Sequence, residues 1–464
     1  MEQKLKKVLF ITNIPAPYRI DFYNELGKHC ELTVIFEAKR APGITFNWKE
    51  NTISNFKAIF LKEGEIQETK IDWSIFKYIK QLKYDVIFIT NYAYFTEMAA
   101  LLSIKLRNIP YYYEVDGAMA KYHEGKAKKI FKSFFLKGAK AYISPSQITD
   151  EYIRFYAGEN STIYRYPFSS LGNKDIINAP LSQQEKNAIR KILNIKEPQM
   201  ILAVGQFIHR KGFDVLLQAA RTMDKNIGIY IVGGKPTEEY LQIQKENNLT
   251  QIHFEGFKTK EELAMYFKAA DIFVHPTRED IWGLVINESM AYGLPVITTN
   301  KCVAGMELIT NKECLIDTDN SEQLKSIMEK LMNDSELRVE IAQQNLHKIA
   351  SYTIEKMVEE HEDIDVIMSL NDPTAMGALA ALDSKGYKKD VLVYGVDGSP
   401  EGKRLISESK MTGTAVQYPR KMGASAIKAA YELLAGKDVD KTVTIPVKLI
   451  TKDNVSEYDL ERWQ

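Results

Sequence analysis

Short apolar runs with almost no polar alternation recur along this chain, each followed by a longer amphipathic stretch. In the first half the runs are Val8–Thr12, Leu32–Phe36, Val86–Thr90, Tyr111–Glu114 and Ala141–Ser144, with helical periodicity over Phe95–Arg107 and Ala127–Lys137. A strand that is apolar on both faces belongs in a parallel sheet covered by helices on each side. The βαβα order therefore predicts a doubly wound sheet. A polar, irregular stretch from about Ser169 to Gln183 interrupts the pattern, which then restarts. Strands are expected at Met200–Val204, Ile227–Val232, Ile252–Phe254, Ile272–His275 and Val296–Thr298, and helices at Asp214–Arg221, Tyr240–Asn247, Lys260–Ala269 and Leu284–Tyr292. That is a second doubly wound domain. Ligands of such folds sit at the carboxyl ends of the strands, near a switch in strand order. Two of these domains facing each other suggest a cleft for two substrates.

Helical segments Ser321–Asn333, Glu336–Ala350 and Ile354–Glu362 close this part, and a new βα run begins at Asp365 without a visible linker. It reads as Val366–Ser369, Ala375–Ser384, Val391–Val396 and a helix over Gly423–Ala435. A chain of 464 residues holds about three domains; the expected spans are 1–180, 181–364 and 365–464. Lys+Arg and Asp+Glu are equal at 61 each, so no global charge draws the chain to nucleic acid. Cys30, Cys302 and Cys314 show neither metal-ligand nor disulfide spacing and fit reduced thiols in a cytoplasmic protein. Val8–Ile11, behind Lys4, Lys6 and Lys7, is too short for a signal peptide, and Asn13, Pro15, Pro17 and Arg19 follow it. No run approaches the roughly 18 apolar residues of a membrane span.

Four elements of the second domain carry chemistry. Gly205-Gln206-Phe207-Ile208-His209-Arg210-Lys211-Gly212 follows a strand and opens a helix. A flexible glycine, a helix start and two cations suit a diphosphate, although a basic pair at a strand end is also a common solvated feature. Gly233-Gly234 and Glu255-Gly256-Phe257 end the next two strands; each is a turn, and each offers backbone groups to a nucleotide. The sharpest element runs from His275 to Val296. An acid-rich loop, Glu279-Asp280, leads through Gly283 and Leu284 into a helix that keeps one acid, Glu288, among apolar neighbours, and Gly293-Leu294-Pro295 ends it. With Asp280 in the loop and Glu288 about one turn into the helix, both carboxylates can face one cavity and accept bonds from sugar hydroxyls. The alternative is a surface loop with a helix-start acid favoured by the dipole.

This order of motifs resembles the retaining nucleotide-sugar glycosyltransferases of family 4, of the GT-B fold, over about residues 1–364. The acid-x7-acid spacing followed by Met290-Ala291-Tyr292-Gly293-Leu294-Pro295-Val296 carries the resemblance, with Lys211-Gly212 upstream and Asn13–Arg19 similar to an acceptor-side loop. The fold class implied is α/β: two doubly wound Rossmann-like domains facing a cleft, plus a C-terminal half-domain. The resemblance implies that Lys211 and Arg210 neutralise the donor diphosphate, that Glu288 holds the ribose and that Asp280 contacts the transferred sugar, with Glu279 able to share that role. Base contacts would come from backbone near Phe257. The usual first Glu is Asp280 here, and the usual Arg after the glycine is Gln206. Asp116, in Glu114-Val115-Asp116-Gly117, is the acceptor-side candidate, and His123 the runner-up; an ordinary turn is the other reading of Asp116-Gly117. Sugar transfer with retention by same-face attack is implied, with no metal and no cofactor beyond the nucleotide-sugar donor. Asp317-Thr318-Asp319 reads as a helix start and not as a metal site, because Asn320-Ser321 follow.

Residues 121–140 interleave Lys126, Lys128, Lys129, Lys132 and Lys137 with Ile130, Phe131, Phe134, Phe135 and Leu136. Such a helix rests on anionic lipid, which suits a lipid-linked glycan acceptor in cell-surface polysaccharide synthesis, or it buries Phe in the core and leaves Lys in water. Beyond Asp365, the segments Asp365–Asp372, Val393–Gly398, Gln417-Tyr418-Pro419 and Pro446–Val455 resemble the end of a periplasmic sugar-binding protein of the ribose or galactose type. The resemblance places Asn371, Asp372, Asp397 and Gln417 near its sugar cleft. Most of the chain such a two-lobed protein needs is absent, so no high-affinity sugar binding is expected, and an apolar face or open sheet edge is.

Overall fold

The computed structural model describes residues 5–40, 53–67, 69–80, 84–166, 168–171, 175–177, 179–360, 364–369, 371–384, 390–434, 437–439 and 444–462. The chain forms two compact units, Met1–Ser170 and Leu171–Gln464.

The first unit holds a seven-stranded parallel sheet of β1 (Lys7–Thr12), β2 (Glu31–Arg40), β3 (Lys57–Glu65), β4 (Val86–Ile89), β5 (Tyr112–Glu114), β6 (Ala141–Ser144) and β7 (Ile163–Arg165). Its order is β3-β2-β1-β4-β5-β6-β7, so the direction of winding reverses between β1 and β4. Alternate residues of β1 and β2 feed two separate cores. Leu9, Ile11 and Ile35 join one, and Val8, Phe10, Val34 and Phe36 the other. That explains the lack of polar alternation in these strands. The edge strands β3 and β7 were not anticipated. Their residues are mostly half-buried or exposed; the apolar run Ala58–Leu61 of β3 is short and flanked by Lys57, Lys62 and Glu63, and β7 has only three residues.

The second unit opens with helix Gln183–Ile192, which the sequence reading passed over. Its signal is a capping box: Ser182 accepts from Glu185 N, and the Glu185 side chain returns to the Ser182 backbone. A six-stranded parallel sheet follows, of β8 (Gln199–Val204), β9 (Ile227–Val232), β10 (Ile252–Glu255), β11 (Ile272–His275), β12 (Val296–Thr299) and β13 (Leu315–Ile316). Its order is β10-β9-β8-β11-β12-β13, with the switch between β8 and β11. The last two helices expected before residue 364 are one helix, Ser335–Glu360. The expected break at Ser351-Tyr352 is absent: Ser351 Oγ bonds back to His347 O at 3.0 Å, as a serine inside a helix can, and Tyr352 is buried. Residues 361 and 362 lie outside the described residues.

The C-terminal segment forms a four-stranded sheet of β14 (Val366–Met368), β15 (Leu392–Asp397), β16 (Gly413–Val416) and β17 (Lys448–Thr451), the last pair antiparallel. Its core gathers Ala375, Ala378, Val393, Ile406, Met411 and Ile450. Met368, Val366 and Leu392 on the β14 side stay exposed, as does Leu449 on β17. Among the described residues no helix is long and apolar enough to cross a membrane.

Candidate functional site

The chemistry-bearing loops of the second unit meet at the carboxyl ends of β8 and β11, where the strand order switches. The loop after β8 turns through His209–Lys211 into Gly212, which is left-handed at φ 67°. A Cβ on Gly212 would stand 2.0 Å from Pro276 O, so only glycine lets the two loops approach. They are also stitched by hydrogen bonds. Arg278 N donates to Arg210 O at 2.8 Å, and Thr277 Oγ1 donates to the same oxygen at 2.9 Å. The Arg278 guanidinium grips both Asp214 oxygens, at 2.9 and 2.6 Å, and reaches His209 O and Asp319 Oδ1. Gly205 and Gly233 close the neighbouring β8 and β9 ends: a Cβ on Gly233 would lie 1.9 Å from Gly205 O. Gly234 follows, half-buried.

Asp280 is the centre of this arrangement. Its carboxylate takes Lys211 Nζ at 2.6 Å and His275 Nε2 at 2.9 Å, both on Oδ2, while Arg210 Nη1 stands 3.5 Å from Oδ1. Arg210 also donates to Glu279 O at 2.7 Å. Burial works against the Asp280 charge, but the His275 hydrogen bond and the Lys211 ammonium prevail and hold its pKa far below the usual carboxylate range. Burial lowers the His275 pKa, helped by the Lys211 and Arg210 charges, so the imidazole is neutral at pH 7. The Asp280 backbone is fixed as well. Its N–H donates to Lys301 O, and its C=O accepts from Val303 N. Burial, with Asp280 nearby, pushes the neighbouring Cys302 thiol up to about 12, which leaves it inert.

The structure therefore joins Lys211, Arg210, Glu279 and Asp280, with Gly283 behind them as the left-handed N-cap (φ 94°) of helix Leu284–Ala291. Glu288 is the fifth residue of that helix, in its second turn and half-buried. Phe257 lies two residues past β10 and is 53% exposed. Sequence reasoning missed His275, Arg278 and Asp214. His275 and Arg278 lie inside the quoted motif, and a buried polar residue closing an apolar strand was the available signal. Asp317–Asp319 behave as expected: Asn320 caps helix Ser321–Asn333, accepting from Gln323 N.

Asp116 belongs to the first unit and is half-buried past β5. Arg19 holds it at 3.0 Å and holds Glu114 at 2.6 Å, and Tyr166 donates to Glu114 at 2.8 Å. Arg19, only 5% exposed, is thus the organiser of the end of the Asn13–Arg19 loop. His123 is exposed. On helix Lys126–Leu136, Phe135 and Leu136 enter the core, whereas Ile130 (69%), Phe131 and Phe134 are exposed. In the C-terminal segment Asp372 is fully buried and serves the fold, accepting from Ser399 N and Thr414 Oγ1. Gln417 Nε2 donates to Asp397 Oδ1 at 3.1 Å.

Residues 185–348 match the family described as "Glycosyl transferases group 1", and residues 313–438 match "Periplasmic binding protein domain". The ribose import binding protein RbsB of Bacillus subtilis is 39% identical over 99 residues, 21% of this chain and 32% of that protein. The lipopolysaccharide glucosyltransferase WaaG of Escherichia coli is 26% identical over 200 residues, 41% of this chain and 51% of that protein. The chain thus spans about a third of the first relative and about half of the second. The solved structure of Anabaena HepE with UDP-glucose superposes with a TM-score of 0.60 at 15% identity, covering 76% of this chain and 99% of that one. At that identity the likeness shows the fold, which is GT-B. Residues 185–348 are thus similar to glycosyltransferase group 1 domains, with GT-B structural neighbours, and residues 313–438 to periplasmic binding protein domains, with ribose-binding relatives.

Proposed function

We propose that residues 1–364 transfer a sugar, with retention, from a nucleotide-sugar to a glycan or lipid-linked acceptor in cell-surface polysaccharide synthesis on the cytoplasmic side. One observation carries the donor half: the Lys211 ammonium, with Arg210 beside it, is held by Asp280 at the strand-order switch, where doubly wound domains bind ligands. The bond between the anomeric carbon and the diphosphate oxygen breaks, and the leaving diphosphate takes the electron pair. Lys211 and Arg210 stabilise that growing charge. The acceptor hydroxyl attacks from the same face and passes its proton to the departing phosphate oxygen. The scheme asks for no metal. Glu288 holds the ribose, Asp280 and Glu279 face the sugar, backbone near Phe257 meets the base, and Asp116 serves the acceptor.

The nucleotide-sugar donor is supported by HepE, whose structure contains UDP-glucose, and the lipid-linked acceptor by WaaG, a lipopolysaccharide glucosyltransferase. Peripheral membrane contact through residues 121–140 is supported by the exposed Ile130, Phe131 and Phe134. With Lys126, Lys129, Ser133 and Lys137, Ile130 and Phe134 line an open cavity of about 530 Å³. A thermal-shift screen of UDP-, GDP- and ADP-sugars identifies the donor class, because a ligand of the folded state raises its stability. Transfer or donor hydrolysis is expected to fall to a small residual rate, at least about a hundredfold below wild type, in Lys211→Ala and Glu288→Ala. Unchanged turnover in both variants refutes the assignment and leaves a non-catalytic binding module.

A further inference from the structure

We propose that His275 is a positioning residue, which fixes the Asp280 carboxylate and, through it, aims the Lys211 ammonium at the donor diphosphate. The inference rests on the donor-site reading above.

His275 closes β11, a strand whose four residues are all buried, and it has no exposed surface itself. Its main chain is held in place, since Thr298 Oγ1 donates to the His275 carbonyl at 2.7 Å, and its imidazole lies nearly parallel to the Phe273 ring, 6.5 Å away. Nε2 stands 2.9 Å from Asp280 Oδ2, the oxygen that also takes Lys211 Nζ. An ionised carboxylate only accepts hydrogen bonds, so Nε2 carries the proton and His275 donates. Nδ1 is then a bare acceptor, and it is buried without a partner among the described residues. A half-satisfied imidazole in an apolar strand is costly. Its one bond therefore marks its use.

The Asp280 main chain is clamped on both sides, at Lys301 O and Val303 N, so only side-chain rotation remains free. Asp280 is short, and Arg210 competes for its other oxygen at 3.5 Å. The His275 bond selects the rotamer that leaves Oδ2 facing Lys211. An ammonium has three N–H groups. One is spent on Asp280, and that bond directs the remaining two. The chain of action is His275 to Asp280 to Lys211, and His275 itself touches no reacting atom.

The test uses the full chain, the donor found in the screen, and four variants. His275→Leu removes the donor and keeps an apolar filler. The expected loss is about 10- to 100-fold in kcat, the range of a hydrogen bond to a charged group, with donor KM moving less than about threefold. His275→Gln, whose amide nitrogen reaches the Nε2 position, is expected to restore most of it. Lys211→Ala combined with His275→Leu is expected to be no slower than Lys211→Ala alone, because His275 acts through that lysine. Wild-type kcat in His275→Leu, or full additivity in the double variant, overturns the proposal while leaving the donor site intact. Wild-type turnover in Lys211→Ala overturns the donor-site reading itself. Nitrogen-15 shifts of labelled histidine decide independently of turnover. A neutral Nε2–H tautomer that shifts in Lys211→Ala is expected, and an Nδ1–H tautomer refutes the assignment even if no donor is turned over.

Discussion

Asp280→Asn isolates the charge at the centre of the site, because the amide keeps the size of the carboxylate and removes its charge. The Lys211 side chain, 14% exposed, then loses its counter-charge while it stays inside the loops. Removing one partner of a buried pair costs about 3–5 kcal/mol. Residual hydration of Lys211 and a retained amide acceptor place this case near about 3 kcal/mol. The pH dependence has a defined sign. The folded-state pKa of Asp280 is depressed, so its stabilisation is present above the unfolded carboxylate value, about 3.9, and is lost as the pH falls through the folded value. The gap between wild type and variant is therefore flat from about pH 5 to 8 and shrinks only below about pH 4. Urea unfolding followed by fluorescence, in a background where Trp48, Trp73 and Trp463 are Phe, reads the second unit through Trp282, which is 2% exposed and two residues from Asp280. A gap below about 1 kcal/mol, or one that closes between pH 7 and 5, refutes the view that an ionised Asp280 organises the site.

Three further outcomes follow from the same packing and hydrogen bonds. Gly212→Ala places a Cβ 2.0 Å from Pro276 O at a left-handed φ, and is expected to cost about 2 kcal/mol in urea unfolding and to abolish donor-induced thermal shifts. Calorimetric titration of the full chain with ribose, allose and galactose is expected to show no micromolar binding. Asp372 is consumed by Ser399 and Thr414, and Gln417 by Asp397. Phe131→Ser with Phe134→Ser is expected to reduce co-sedimentation with phosphatidylglycerol vesicles at least fivefold, and to leave the weak pull-down by phosphatidylcholine vesicles unchanged; equal sedimentation of variant and wild type refutes the membrane contact.

The sheets of both units were legible because their central strands are buried on two faces, and such strands cannot hide in a sequence. Val8–Thr12 and Ile227–Val232 show this directly. The edge strands were not, since in Lys57–Glu65 a short, half-buried apolar run, Ala58–Leu61, is followed at once by the charged stretch Lys62–Glu65. The site was legible as a set of residue types at a spacing, but its wiring was not. Asp280 was expected to contact a sugar, but the partners that hold its carboxylate, Lys211 and His275, were not foreseen. Their meeting depends on the Asp280–Cys302 bridge and the Gly212 approach, and neither is visible in one dimension. Helix Gln183–Ile192 was legible in principle, through Ser182 and Glu185, but its mean polarity concealed it.

The helix Ser335–Glu360 decides how the C-terminal segment sits on the second unit. Its middle part seals the donor motif: Asn345 Nδ2 donates to Leu294 O at 2.8 Å, Leu346 packs against Gly293, and Tyr352 stacks on Trp282 at 6.3 Å. One residue before Tyr352, Ser351 meets Gly377 of helix Asp372–Ser384, so closely that a Cβ there would lie 3.1 Å from Ser351 N. A single helix thus backs Trp282 and carries the C-terminal segment. The two matched families also overlap at residues 313–348, of which 335–348 lie on this helix. Had these been separate helices joined by a loop, the segment would hang as an independent half-domain with its helix face bare. Because the helix runs on unbroken, Gly377 and its neighbours Ala375 and Ala378 find cover, and the exposed apolar residues that remain gather at the outer strands β14 and β17 and on the helix Pro419–Leu434. The aggregation risk of this segment is therefore set by its sheet edges and last helix, and not by the face of Asp372–Ser384 that the donor domain already occupies.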